Sequence, residues 1–547
     1  MLEMKSELRF SLIAFFISVN GFFSVAQTGD PVISAIKREV DRNLSELKIE
    51  ELLSPFFISY SIVDQHRIQI KASFGAVTSS FETRERAGFP FVLVGSFNRN
   101  NLKYNPGYSP GLRQKISIEN DPAVIGVSIW EDLDWEYKRA VKNFESKKGI
   151  LSQTRLTLDE QNLPDYEQTS VISLILPPEK INIDHNYWEN YARIVSEVAQ
   201  KYPEIIKSEV TIELKNCMIY YYDTGGSQFV VPAVHCYIDF LAWVMTDDGE
   251  ELVDGVSYHR SSTDRLPNLE IFVDDCENKI SNLLKLRNAP LAEKVYSGPV
   301  LFKKESLINV IQMCFKDQLS SSSQFIHTGR RGGNDLEMKI GERLVSSNLT
   351  VKSLSGKKVY KGQILDGYFP VDGEGVVPDE ELVIIENGVL KNLLSRRVPT
   401  LTNQQSNGHF RFYLNTRENH HRQIQPGVIQ FTGCNMKLED DMKKELIKVA
   451  REARLEYAYM VDEGFKKIYV DDGREEVIRG INLSNYNIDI FKRVLSISDE
   501  EFFYSTENLT ALSTFIVPKS MLFEELDLIK DNQSNLSTSF LIPKPTK

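Results

Sequence analysis

Several chemistries lack their residues in this chain of 547. It has five cysteines and no C-x-x-C pair, which leaves a zinc ribbon or a thioredoxin-type redox site without its ligands. The eight histidines are His66, His185, His235, His259, His327, His409, His420 and His421, and they form no H-E-x-x-H, H-E-x-x-x-H or H-x-H. A catalytic zinc commonly takes two imidazoles one helical turn apart, so no metal motif is legible. His420 and His421 are adjacent and point apart on any regular element. Neither Gly225-Gly226 nor Gly332-Gly333 carries the lysine and hydroxyl of a phosphate loop or the spacing of a dinucleotide fold. No G-x-S-x-G stands between a strand and a helix, as a serine hydrolase would need. An excess of basic residues is missing too. Asp and Glu number 76 against 64 Lys and Arg, a net charge of −12, which argues against a nucleic-acid partner.

Long apolar runs are confined to the first 26 residues. Lys5 and Arg9 precede an apolar stretch from Phe10 to Val25, and Ser24-Val25-Ala26 places small residues at −3 and −1 before Gln27. This is the layout of a secretory signal peptide. The run is shorter than the ~20 residues a spanning helix needs. No cysteine follows the cleavage point, as a lipoprotein would require. The expected mature chain is exported, to the periplasm or outside the cell, without a membrane span.

The cysteine count is odd, so at least one thiol is unpaired or pairs between chains. Cys217 and Cys236 are nearly symmetric about Gly225-Gly226. A hairpin there would set them on neighbouring strands, although all five cysteines also suit small buried hydrophobes.

Periodicity divides the rest. Apolar residues at helical spacing predict a helix from Pro31 to Leu53. From Phe57 to Phe97 the period changes to two, in four runs rich in Thr, Val, Phe and Tyr, which predicts antiparallel strands. Helices follow at 130–153 and 185–201, then strands at 208–214, 218–222 and 230–244, then a helix at 267–286. The polar connection Arg287–Val295 sets an expected boundary, with an N-terminal α+β domain over 27–290. A strand at 297–302 and a helix at 305–319 open the second domain, 291–530. It is mostly strands, with a helix at 439–454 and a shorter one at 488–496. The tail, 531–547, is polar and expected to fray.

Within the second domain, Glu381–Glu386 and Val389–Leu394 flank Asn387-Gly388. Both central residues of a type I′ turn need φ > 0, so this is a strong hairpin signal. Just before it, Asp372-Gly373-Glu374-Gly375 carries two carboxylates at i, i+2. On a strand they would share a face and could do acid–base work; in a turn they would cap backbone amides. His327 sits in the loop HTGRRGGN, where binding residues collect. Cys434, after Phe431-Thr432-Gly433, would be a nucleophile only beside a histidine base.

Taken in order, several blocks resemble the TldD/PmbA family, whose best-known members form a metalloprotease of two related subunits. Tyr296–Phe302 (YSGPVLF) resembles its Y-x-G-P-V-L strand, and Ile340-Gly341-Glu342-Arg343 with Leu349-Thr350-Val351 its I-G…L-T-V segment. Asp372–Gly375 and Glu386–Lys391 resemble its D-x-E-G…I-E-N-G-(I/V)-L core. Ser406-Asn407-Gly408-His409, Asp471-Asp472-Gly473 and Val477–Gly480 resemble later blocks. The resemblance spans roughly residues 185–530.

That resemblance implies an α+β chain with an α/β N-terminal domain and a largely β C-terminal domain. In the protease subunit, TldD, an H-E-x-x-x-H helix follows the G-P-V-L strand, and a cysteine near the C-terminus completes the zinc site. Such subunits act on small peptides or unfolded chains inside a closed assembly. The partner, PmbA or TldE, lacks the metal motif. Here the helix after Phe302 reads KKESLINVIQMCFKDQLSS, with Gln312, Met313 and Lys316 or Asp317 near the ligand positions, and no cysteine follows Cys434. The resemblance therefore implies a PmbA-like chain without a cofactor of its own, working as a homo-oligomer or with a zinc-bearing TldD-like relative. The motif and loop positions carried as candidate site residues are Asp372, Glu374, Asn387, Gly388, His327 and His409. The competing expectation is a peptidase with a rearranged site drawn from His327, His409, His420 or Cys434.

Overall fold

The computed structural model describes residues 29–49, 51–103, 110–111, 114–315, 318–321, 325–327, 330–332, 335–412, 414, 422–508 and 511–530. The expected signal segment, the tail, His420 and His421 lie outside them. Among the described residues no helix is long and apolar enough to cross a membrane.

Helix α1 (Pro31–Glu46) starts where the Asp30 carboxylate accepts the amide of Val32 at 2.8 Å and Pro31 takes the first position. It stops earlier than its periodicity predicts. Ile49, Leu52 and Leu53 stay exposed, and without packing a helical pattern has little to hold it.

The four predicted runs after α1 are two strands, β1 (Pro55–Ser73) and β2 (Ala76–Val94). Phe74 and Gly75, both with positive φ, turn the chain between them. The polar middle, which reads like a break, is held across the pair. Asp64 faces Arg86 in register, and the Arg86 Nη2 donates to Asp64 at 2.5 Å. A three-residue β3 (Gln114–Ile116) edges β2. Helix α2 (Pro122–Ser152) begins eight residues before the predicted start at Trp130, capped by Asp121.

After β4 (Ser173–Ile175) and helix α3 (His185–Glu197) come β5 (Ile205–Asp223), β6 (Gln228–Met245) and β7 (Glu251–Arg260). The predicted break near residue 216 does not occur: β5 is one strand of 19 residues. The sheet runs β3-β2-β1-β5-β6-β4, with β7 on β6. In its register Cys217 faces Ala233 and Cys236 faces Leu214. The two cysteines are therefore offset and remain separate buried thiols, which rules out the disulfide.

The two faces of this sheet do different work. Residues such as Ile62, Ile70, Ile212 and Ile238 pack under α1, α2, α3 and α4 (Leu269–Arg287). The other face carries Val63, Phe89, Cys217, Ile219, Tyr221, Phe229 and Val231, which pack on Val371, Phe412 and Leu414. Strands of alternating pattern are thus covered on both sides.

From β8 (Tyr296–Lys303) onward the chain builds two further multi-stranded sheets. One has six strands in the order 389–390, 382–386, 349–353, 428–433, 511–518, 501–508. The other has eight, with β8 between 520–530 and 457–461. The last stretch passes from the six-stranded sheet to the eight-stranded one at Lys519. Side chains of both sheets, among them Phe302, Phe431, Phe515 and Phe523, form one core with Leu307, Ile308 and Ile311 of helix α5 (Lys304–Phe315). Helix α6 (Glu439–Glu452) packs Met442, Leu446 and Ala450 on Leu301, Met460 and Leu522. Its first turn is Glu439, Asp440 and Asp441, as the helix dipole favours. The predicted helix at 488–496 is a 3₁₀ turn, Ile488–Arg493, and a strand takes over at Val494.

Candidate binding cleft at the seam

The turn Asp372–Gly375 sits where the C-terminal sheets meet the first sheet. Asp372 is 1% exposed and Glu374 2%. One Asp372 oxygen accepts the amides of Glu374 and Val376, each at 2.9 Å, and the other accepts that of Phe410 at 3.1 Å. The turn reading is the one realised: the carboxylate closes the loop. Burial, with Glu374 beside it, pushes this carboxyl up to about 7 against the pull of the three amides.

Glu374 belongs to a separate network. Arg396 Nη2 donates to it at 2.5 Å and the Arg397 amide at 2.8 Å. Burial would raise this carboxyl, but the Arg396 guanidinium together with the amide and charge of Arg397 outweighs it and holds the carboxyl below the usual range. Arg397 crosses the seam. Its Nε and Nη2 donate to the Glu167 carbonyl at 3.1 and 2.9 Å, its guanidinium covers the Tyr166 ring at 4.4 Å, and Asp223 lies 3.7 Å away. None of Tyr166, Glu167, Asp223 or Arg397 stands out in the sequence. The only signal is that Ser395-Arg396-Arg397 directly follows the hairpin.

Asn387 (φ 48°) and Gly388 (φ 83°) form the predicted turn between strands 382–386 and 389–390. It lies at the edge of the six-stranded sheet, where Leu344 and Val345 donate to the Gly388 carbonyl. His409 is fully buried. Its Nδ1 meets the Asn407 carbonyl at 2.8 Å and its Nε2 the Ser353 hydroxyl at 2.8 Å. Burial lowers it to about 3, so it stays neutral in the fold. His327 ends a three-residue strand paired with 330–332, and its side chain lies outside the described residues. Cys434 is an exposed free thiol in the loop after strand 428–433. The structure does not gather these positions into one constellation: Asp372, Glu374 and His409 converge on one loop cluster, and Asn387, Gly388 and Cys434 lie elsewhere.

What the cluster borders is a cleft of about 440 Å³. Ile219, Val231 and Ala233 of the first sheet form one wall, and Phe369, Val371, Phe412 and Leu414 the other. Polar groups stand at its margins. Asp366 accepts the Ser261 amide at 2.8 Å, pairs with Arg265 and accepts the Ser505 hydroxyl at 2.9 Å. Arg411 stacks on Phe369 at 4.7 Å and donates to the Leu512 carbonyl at 2.9 Å. Apolar walls with a few oriented polar groups, at a junction of folding units, are the usual make-up of a ligand site.

Helix α5 occupies the place where the resemblance implies zinc ligands. Gln312 lines a second pocket of about 40 Å³ with Ile311, Phe315, Leu319, Ile424 and Phe515, and Met313 points outward at 58% exposure. Amide and thioether donors among apolar walls do not fit zinc, which takes imidazole, thiolate or carboxylate.

Residues 296–530 match the family model of the PmbA/TldA metallopeptidase C-terminal domain. No curated protein matches the sequence. Among solved structures, the chain is similar to a Thermotoga maritima protein described as a candidate modulator of a DNA gyrase, with 14% identity and a TM-score of 0.58 over 90% of this chain and 100% of that one. It is also similar to TldE from Thermococcus kodakarensis, with 12% identity and a TM-score of 0.55 over 90% and 99%. A third similar structure, a candidate modulator of DNA gyrase from Bacteroides thetaiotaomicron, shows 9% identity and a TM-score of 0.55 over 91% and 98%. At these identities the structures speak to the fold alone, a mixed α+β architecture with a largely β C-terminal region. Residues 296–530 thus form a C-terminal domain of the PmbA/TldD type, and the chain as a whole shares its fold with these structures.

Proposed function

We propose that this chain is an exported, non-catalytic member of the TldD/PmbA family that holds an extended peptide or a partner's chain in the cleft between its sheets. The observation that carries the reading is helix α5. It follows the G-P-V-L strand directly, contains no histidine, and turns Gln312 into a small apolar pocket. The proposed partner is a second copy of the chain or a zinc-bearing TldD-like relative. One structural neighbour bears the name TldE. Export rests on the N-terminal segment, whose basic start, apolar middle and small residues before Gln27 have the layout of a signal peptide.

The test is a mixture of the mature chain, from Gln27 onward, with a TldD-type relative and unfolded polypeptide. The expected outcome is a stable complex by sedimentation, with hydrolysis only when the relative is present. Zinc-dependent hydrolysis by the chain alone would overturn the proposal.

A further inference from the structure

Beside the cleft, the same face of the first sheet turns polar, and there it meets the strand Glu501–Asn508 of the C-terminal half. Tyr237 of β6 faces His259 of β7 in register, which puts His235 on the same face two residues away. The rings of His235 and His259 stack with centroids 5.3 Å apart, and His235 Nε2 lies 3.0 Å from His259 Nδ1. Glu507 reaches in from the opposite side of the seam, 4.0 Å from His235 Nδ1. One donor atom from each of the three residues lies within 4.8 Å of the others.

Two features of this cluster call for a ligand. His235 is fully buried, yet its Nδ1 has no hydrogen-bond partner among the described residues, and a buried polar atom left so is costly. At 4.0 Å the Glu507 oxygen is too far to serve. The donor set itself, two imidazoles and one carboxylate, is one that zinc takes, with a fourth position for water.

We infer that His235, His259 and Glu507 bind a divalent cation of the zinc class, which clasps the first sheet to the C-terminal half. The residues come from β6, β7 and the strand 501–508, so the ion would join elements some 250 residues apart in sequence that share no backbone pairing. Lys215 is the cation that competes for this place. Its ammonium lies 3.5 Å from Glu507 and 3.3 Å from Glu213, and Glu213, which also pairs with Arg67, retains it when Glu507 turns to the metal. The site is separate from Gln312 and from the helix that carries the family's metal motif.

The test uses the mature full-length chain, stripped with a chelator and titrated with Co²⁺ and then Zn²⁺. The expected result is near-stoichiometric Co²⁺ uptake with visible absorption bands, displaced by Zn²⁺, and a melting temperature raised by zinc. Glu507→Gln and His259→Ala should each weaken binding by ~10-fold or more, while Cys434→Ser leaves it unchanged. Glu507 is partly exposed, so Glu507→Gln should fold even where His259→Ala does not; metal-free melting and gel filtration check this. A folded wild type that takes up no Co²⁺, or equal uptake by Glu507→Gln, would overturn the inference. Peptide hydrolysis is read alongside. Metal uptake without hydrolysis leaves the non-catalytic reading standing, and zinc-dependent hydrolysis removes that reading without removing the site.

Discussion

Arg397 lies 3.7 Å from Asp223 across the seam between the first sheet and the C-terminal half, and the same guanidinium donates to the Glu167 carbonyl on the far side. Both partners are almost fully buried, at 3% and 1% exposed. Arg397→Ala would leave Asp223 without the cation that offsets its burial. Removing one side of a buried pair costs ~3–5 kcal/mol, so the unfolding midpoint in urea should drop sharply. Arg397→Lys should recover only part of the loss, since an ammonium cannot fork to the carbonyl and cover the Tyr166 ring together.

Asp372 closes its loop with three amides. Asp372→Ala leaves those buried donors unmet, and each unmet group costs ~1–3 kcal/mol. The expected outcome is a destabilised chain whose Phe410 and Val376 amides exchange faster with deuterium.

Gly388 has φ of 83°, and a Cβ there would meet the Val345 carbonyl oxygen at 2.6 Å. Gly388→Ala should therefore destabilise by ~1–3 kcal/mol, measured by thermal melting. Alanine at Gly149, where a Cβ meets nothing within 4 Å, should not destabilise, because glycine inside a helix is itself unfavourable.

His409 titrates near 6.5 when unfolded but at about 3 when folded, because burial disfavours the imidazolium. The unfolded chain therefore binds the proton first. Stability from this group is present above about pH 6.5 and is lost as the pH falls toward 3, by up to ~1.4 kcal/mol per unit. His409→Gln, if it folds, should flatten the acid side of the stability profile. An unchanged slope would show that other groups set it.

The cleft should accept apolar bulk from a ligand. Ala233→Trp would fill much of the space between Val231 and Phe412. It should weaken binding of labelled unfolded peptides, read by fluorescence anisotropy, with little change in melting temperature. Equal binding would place the peptide elsewhere.

Local signals were legible in the sequence wherever backbone chemistry decides structure. The Asn387-Gly388 turn needs positive φ at both residues, and the chain adopts it. The amphipathic helix after Pro31, the acidic first turn at Glu439 and the strand at Tyr296 follow from spacing and capping alone. The family blocks were also legible as residues in order. Long pairing was not. The polar middles of β1 and β5 read as breaks because the partners that satisfy them, such as Arg86 for Asp64, sit on another strand. The candidate site shows the same division. Asp372 and Glu374 could be picked out by motif, but their separate duties, closing a loop and anchoring Arg396, depend on which donors the fold brings near. Likewise His235, His259 and Glu507 have no sequence spacing that signals a site. Local φ preferences, caps and periodicity determined the elements; only the docking of one sheet face on the C-terminal half decided which distant polar groups meet, because a buried polar group left without a partner is costly.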